Sequence, residues 1–121
     1  MKVLVVDDSA IMRKVISQIL EMLGHDSVPA SNGIDAFDRL KEHEDVRLIL
    51  LDWNMPEMNG IEFLREIKGR QRLSEIPVIM LTTEAGEDKK ANGQAAGAKA
   101  WMVKPFQPAQ MLAAVSKLIM P

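Results

Sequence analysis

The run VRLILLD, residues 46–52, constrains the fold of this chain more than any other stretch. A strand with one wet face alternates apolar and polar residues, whereas a strand covered on both faces is apolar almost throughout. Residues 46–52 are of the second kind and call for cover on both sides of a sheet. KVLVVD (2–7), PVIMLT (77–82) and KAWMV (99–103) read as further strands, and DSVPA (26–30) as a weaker one. Pro29 has no N–H to give to a ladder, so DSVPA belongs at an edge or an end.

Between these runs the apolar period lengthens. Ser9 can cap a helix whose apolar residues Met12, Val15, Ile16, Ile19, Leu20 and Leu23 recur at helical spacing, and Gly24 stands where a left-handed C-cap belongs. After SNG, a second helix is marked by Ile34, Phe37 and Leu40, and a third by Ile61, Leu64 and Ile67. Pro108 suits the first turn of a last helix with Met111, Leu112, Val115, Leu118 and Ile119 inward. Met102, Met111 and Met120 read as core or near-core fillers. Strand–helix pairs joined by short loops imply a parallel sheet with helices on both faces, in one α/β domain spanning residues 1–121.

One segment breaks the pattern. Residues 84–98, EAGEDKKANGQAAGA, hold no Val, Ile, Leu, Met or Phe, but include Gly86, Gly93 and Gly97. As a helix it would bury only alanine methyls, roughly a third of what a leucine face gains, and an interior Gly93 would cost about 1 kcal/mol more. A loosely held helix is expected there.

Composition narrows the function. With 15 Lys+Arg against 17 Asp+Glu the net charge is −2, which offers no basic surface for nucleic acid or an anionic membrane. The chain has no Cys, which excludes disulfides and thiolate metal sites. Its N-terminus, MKVLVVDDS, meets two acids too early for a signal peptide, and no run reaches transmembrane length. A soluble cytoplasmic domain is expected.

In a parallel sheet all strand C-termini reach one edge, where α/β proteins bind their ligands. The residues closing the strands are Asp7 and Asp8, Asp52, Thr82 and Lys104. A single strand-end Asp is commonly a turn or helix cap, but five such residues on four strands point to a shared site. Three carboxylates and one ammonium leave an excess of negative charge in one partly desolvated cleft, which should raise a pKa or recruit a cation. An all-oxygen ligand set suits a hard divalent ion, and a shallow site that keeps water bound suits Mg²⁺.

VVDDS, LLDWNMPEMNG, LTTEA and WMVKPF, in that order, resemble the receiver domain of two-component response regulators, and CheY-type single-domain receivers in particular. The resemblance covers essentially the whole chain. It implies a flavodoxin-like, doubly wound sheet of five parallel strands in the order 2-1-3-4-5 with five helices. It further implies that Asp52 accepts a phosphoryl group from a histidine kinase. Asp8 and Asp52 would hold Mg²⁺ directly with the Asn54 backbone carbonyl, and Asp7 would act mainly through a bound water. Lys104 would pair with the phosphoryl oxygens and Thr82 would hydrogen-bond one of them. Pro105 would be the family's cis proline, aiming Lys104 inward. Asn54 and Glu84 stand where the family tunes hydrolysis of the acyl phosphate, or are solvent-facing loop residues.

The resemblance also implies a switch, in which Thr82 moves toward the phosphoryl group and the aromatic of the fifth strand turns inward behind it. That position holds Trp101, where the family usually has Tyr or Phe. An indole is larger and its N–H needs a partner when buried, so a constant, partly exposed Trp101 is the competing reading. Output should pass through protein contact by a monomer, at a flagellar motor switch or through a histidine phosphotransfer protein, and the chain could also be a receiver from a longer regulator. A flavin or nucleotide binder would need a Ser/Thr/Gly-rich phosphate cradle where Asp7 and Asp8 stand. A haloacid-dehalogenase-type hydrolase would want Asp-x-Asp and a cap insertion. An inert docking module would tend to lose part of the acid–Thr–Lys set. The expected activity is confined to the protein's own phosphorylation and dephosphorylation.

Overall fold

The structure, a computed structural model, describes residues 1–52, 60–70, 73–82, 97–103 and 107–119. Its strands are β1 (Lys2–Val6), β2 (Asp26–Ala30), β3 (Val46–Asp52), β4 (Val78–Thr82) and β5 (Ala100–Val103). Its described helices are α1 (Ala10–Met22), α2 (Gly33–Glu42), α3 (Gly60–Lys68) and α4 (Pro108–Ile119), with a 3-10 turn at Leu73–Glu75. All strand pairs are parallel and the order is β2-β1-β3-β4-β5, the flavodoxin-like doubly wound arrangement. The fifth helix expected over 84–98 falls on residues outside those described, except Gly97 and Ala98, which are not helical.

Strand alternation sorts the core into two layers. Leu4, Val6, Ile49, Leu51, Val78 and Met80 face α2 and α3, and meet Ala36, Leu40, Phe63, Leu64 and Ile67. Val3, Val5, Leu48, Leu50, Ile79 and Leu81 face the other way, against Ile16, Ile19 and Leu20 of α1 and Met111 and Val115 of α4. That two-sided burial is why residues 46–52 are apolar with so little interruption. The one exposed position, Arg47, marks a register shift: Lys2 pairs Val46 while Val3 pairs Leu48. The extra residue behaves as a β-bulge and puts Val46 on the α2–α3 side.

Local signals set the helix limits. Ser9 Oγ accepts the Met12 N–H, capping α1. At its other end the His25 N–H donates to the Leu20 carbonyl and the Gly24 N–H to that of Glu21, with Gly24 at φ 83°. This is a Schellman closure, which needs the left-handed residue that glycine supplies. Asn32 Oδ1 accepts from Asp35 N–H and caps α2.

Two residues of the helical apolar periods face solvent. Val15 is 42% exposed and Ile34 55% exposed. The buried stripe of α1 is narrower than its apolar stripe, and at the start of α2 the residue buried is Gly33, leaving Ile34 turned outward. Met102 and Met111 are buried as expected, and Met120 lies outside the described residues. Phe63, which the periodicity reading passed over, is among the largest fully buried side chains. Its ring meets Phe37 at 4.9 Å between centroids, and the Arg70 guanidinium lies 4.4 Å over the Phe37 ring.

Candidate functional site

Register brings the acids together. Val6 pairs Leu51, so Asp7 leaves β1 level with Asp52 at the end of β3. Asp52 pairs Leu81, and Thr82 closes β4 one residue beyond. Asp7 and Thr82 are fully buried and Asp52 is 4% exposed, in contrast to the exposed Asp8. One carboxylate oxygen from each of Asp7, Asp8 and Asp52 lies within 4.8 Å of the others. Three anions in so small a volume, two of them buried, are costly without a counter-charge. The donor set is all oxygen, with no His or Cys, and matches a hard divalent cation. The cluster fits a metal ion.

Asp7 is held from three sides. Its N–H donates to the Ala30 carbonyl at 3.1 Å, its Oδ1 accepts the Ser9 N–H at 2.9 Å, and its own carbonyl accepts Arg13 Nη1 at 2.6 Å. The buried carboxylate is thereby hydrogen-bonded at the turn into α1, which offsets part of its desolvation. Asp52 and Thr82 also make polar interactions of their own.

Sequence reasoning did not single out Arg13. Long helical side chains lean back toward the helix N-terminus, so an arginine one turn past the Ser9 cap can reach the end of β1. That spacing is the signal which could have found it.

Of the other expected site residues, Asn54, Glu84, Lys104 and Pro105 lie outside the described residues, as does Trp53. Trp101 is described: it is partly buried on β5 and packs against the core layer on the α2–α3 side. Beside it, Trp101, Met102, Val103, Gln110, Ala113 and Ala114 line an open cavity of about 440 Å³ between β5 and α4. Among the described residues no helix is long and apolar enough to cross a membrane.

A family model for the response regulator receiver domain matches residues 3–116. A chemotaxis protein CheY homolog of Campylobacter jejuni is 45% identical over 109 residues, covering 89% of this chain and 84% of that protein. Chemotaxis protein CheY1 of Helicobacter pylori is 42% identical over 109 residues, covering 89% of this chain and 88% of its own length. Among solved structures, chemotaxis protein CheY4 of Vibrio cholerae superposes with a TM-score of 0.92 at 36% identity, with 98% of each chain covered. Sheet order, the acid cluster at the β1 and β3 ends and these likenesses agree: the chain belongs to the response regulator receiver domain family, and within it to the CheY type.

Proposed function

We propose that the chain is a chemotaxis response regulator that takes a phosphoryl group on Asp52 from a histidine kinase. The observation that carries this reading is the convergence of the Asp7, Asp8 and Asp52 carboxylates within 4.8 Å at the ends of two neighbouring strands. In the proposed reaction an Asp52 carboxylate oxygen attacks the phosphorus of the kinase's phosphohistidine. The P–N bond breaks, imidazole leaves, and an acyl phosphate remains on Asp52.

Asp8 and Asp52 would hold Mg²⁺ directly with the Asn54 carbonyl, and Asp7 through water. The bound ion supplies neutralisation of the oxygen charge that builds up during transfer. Lys104 would pair with the phosphoryl oxygens, and the Thr82 hydroxyl would donate to one of them. Asn54 and Glu84 would tune hydrolysis of the acyl phosphate.

Thr82 and Trp101 would form the switch, because β4 and β5 pair directly and Thr82 stands opposite Val103. The groove between β5 and α4 would be the output face, contacting a flagellar motor switch or a histidine phosphotransfer protein. On this reading residues 1–121 form a single domain that works as a cytoplasmic monomer and catalyses only its own phosphorylation and dephosphorylation.

The test is incubation with acetyl phosphate and Mg²⁺, followed by intact mass and tryptophan fluorescence on wild type and Asp52→Asn. Wild type should gain one phosphoryl mass and the variant none. No added mass on wild type, or equal labelling of the variant, would overturn the assignment. Pull-downs against motor-switch and phosphotransfer proteins, with and without a phosphoryl mimic, separate the two outputs.

A further inference from the structure

We propose that Arg13 is a positioning residue for the metal centre, clamping the peptide unit that joins Asp7 to Asp8. The inference rests on reading the acidic cluster as a Mg²⁺ site. The two aspartates are held very differently. Asp7 is buried and bonded through its N–H, its carboxylate and its carbonyl. Asp8 is exposed, and among the described residues no hydrogen bond or ion pair holds its carboxylate. The direction in which Asp8 offers an oxygen therefore depends on its backbone.

The carbonyl that Arg13 Nη1 grips at 2.6 Å belongs to the Asp7–Asp8 peptide bond. A charge-assisted bond of that length resists rotation of the peptide plane, and rotation of that plane would swing Asp8 out of the cluster. Metal–ligand distances in a well-formed site fall within about 0.2 Å of their usual values, so the direction of each ligand matters. Arg13 stands on α1, whose first turn is itself anchored by the Ser9 cap and by the Arg13 N–H donating to the Ser9 carbonyl. The clamp thus refers Asp8 to a rigid element instead of to a loop.

A competing role for Arg13 is simple counter-charge for the three carboxylates, and the two roles differ in sign. Removing a mere counter-charge relieves repulsion of the incoming cation and tightens Mg²⁺ binding. Removing a clamp weakens it. Loss of an outer-shell partner typically lowers metal affinity by about 10–100-fold, and the partial exposure of Arg13 places it at the lower end. Arg13 borders a polar cavity of about 220 Å³ with Pro29, Ala30, Ser31, Asp35 and Arg39, outside both core layers, so its replacement should leave the core packed.

The experiment titrates Mg²⁺ into wild type, Arg13→Gln and Arg13→Lys, each in a Trp101→Phe background so that the fluorescence read is that of Trp53, the neighbour of Asp52 in sequence. Urea midpoints in chelator are recorded beside each titration. Arg13→Gln should weaken Mg²⁺ binding about tenfold with its urea midpoint near wild type, and Arg13→Lys, which keeps a charged donor, should recover to within about threefold. Unchanged or tighter Mg²⁺ binding in Arg13→Gln would overturn the clamp, as would a Lys variant as weak as the Gln variant. Should Arg13→Gln lose its fold, Arg13→Lys alone decides: an affinity tenfold or more below wild type at an unchanged midpoint sinks the clamp. A wild type that ignores Mg²⁺ would instead overturn the reading of the cluster itself.

Discussion

Replacing Asp52 with Asn should stabilise the metal-free protein and abolish its response to Mg²⁺. Asp7 and Asp52 are both buried, and their carboxylates approach within 4.8 Å. Two like charges at that separation repel by about 3.5 kcal/mol at an effective dielectric of about 20. The Ser9 N–H bond to Asp7 offsets part of this. An amide in place of the carboxylate can also donate to Asp7, so the net gain expected is about 1–3 kcal/mol. For wild type, Mg²⁺ at a hundredfold excess over its Kd should contribute about 2.7 kcal/mol, because the ion binds only the folded chain. Urea unfolding at pH 7, followed by far-UV circular dichroism in chelator and in excess Mg²⁺, measures both effects. In chelator the variant's midpoint should rise by about 1 M, and Mg²⁺ should then move it little. A variant no more stable than wild type in chelator would refute the repulsion reasoning. A variant that keeps the full Mg²⁺ gain would show that the ion binds elsewhere.

Phe63→Ala, by emptying a fully buried site beside Phe37, should cost about 3–5 kcal/mol in urea unfolding; a loss under 1 kcal/mol would mean that the ring is not the keystone of that layer. Gly97→Ala should cost about 1–3 kcal/mol, since Gly97 has φ 110° and an added Cβ would stand 2.8 Å from Lys68 Cε. Pairing it with Lys68→Ala should recover only the steric part, and full recovery would show that the backbone conformation carries no cost. Burial, and secondarily the charge of Lys99, lower the pKa of Lys68 from 10.5. The unfolded chain therefore holds this proton to higher pH than the folded chain does. Below the folded pKa the charged amine is a constant penalty, and as pH rises from there to 10.5 the penalty fades. The stability of wild type relative to Lys68→Met should accordingly rise with pH across that alkaline window, and a flat or falling difference in urea midpoints would contradict the assignment.

How much of this could be read from the sequence depends on how far each cause acts. Ser9 and Gly24 cap α1 through bonds within a few residues, so their roles were visible in the local pattern. Asp7, Asp8, Asp52 and Thr82 were legible because parallel strands must end on one edge, whatever their order. The exposure of Val15 and Ile34 was not legible because periodicity fixes the direction of an apolar face but not its width. Phe63 was passed over because its partners, Phe37 and the sheet, come from other elements. Arg13 and the fit of Lys68 against Gly97 depend on distances across the fold, which residue spacing alone does not carry. The bulge at Arg47 was hidden for the same reason, since it exists only relative to β1.

The edge strand β2 has a consequence for behaviour at high concentration. Asp26 N–H and the Ala30 carbonyl both bond toward β1, so the alternate residues Ser27 and Pro29 turn their backbone groups toward open solvent. Pro29 brings no N–H to that outer row, which leaves Ser27 as its only inner donor. A passing strand from another copy would find too few bonds to zip onto this edge. This flank of the sheet is thereby guarded against strand-by-strand association, which suits a chain whose proposed work is to diffuse between partners.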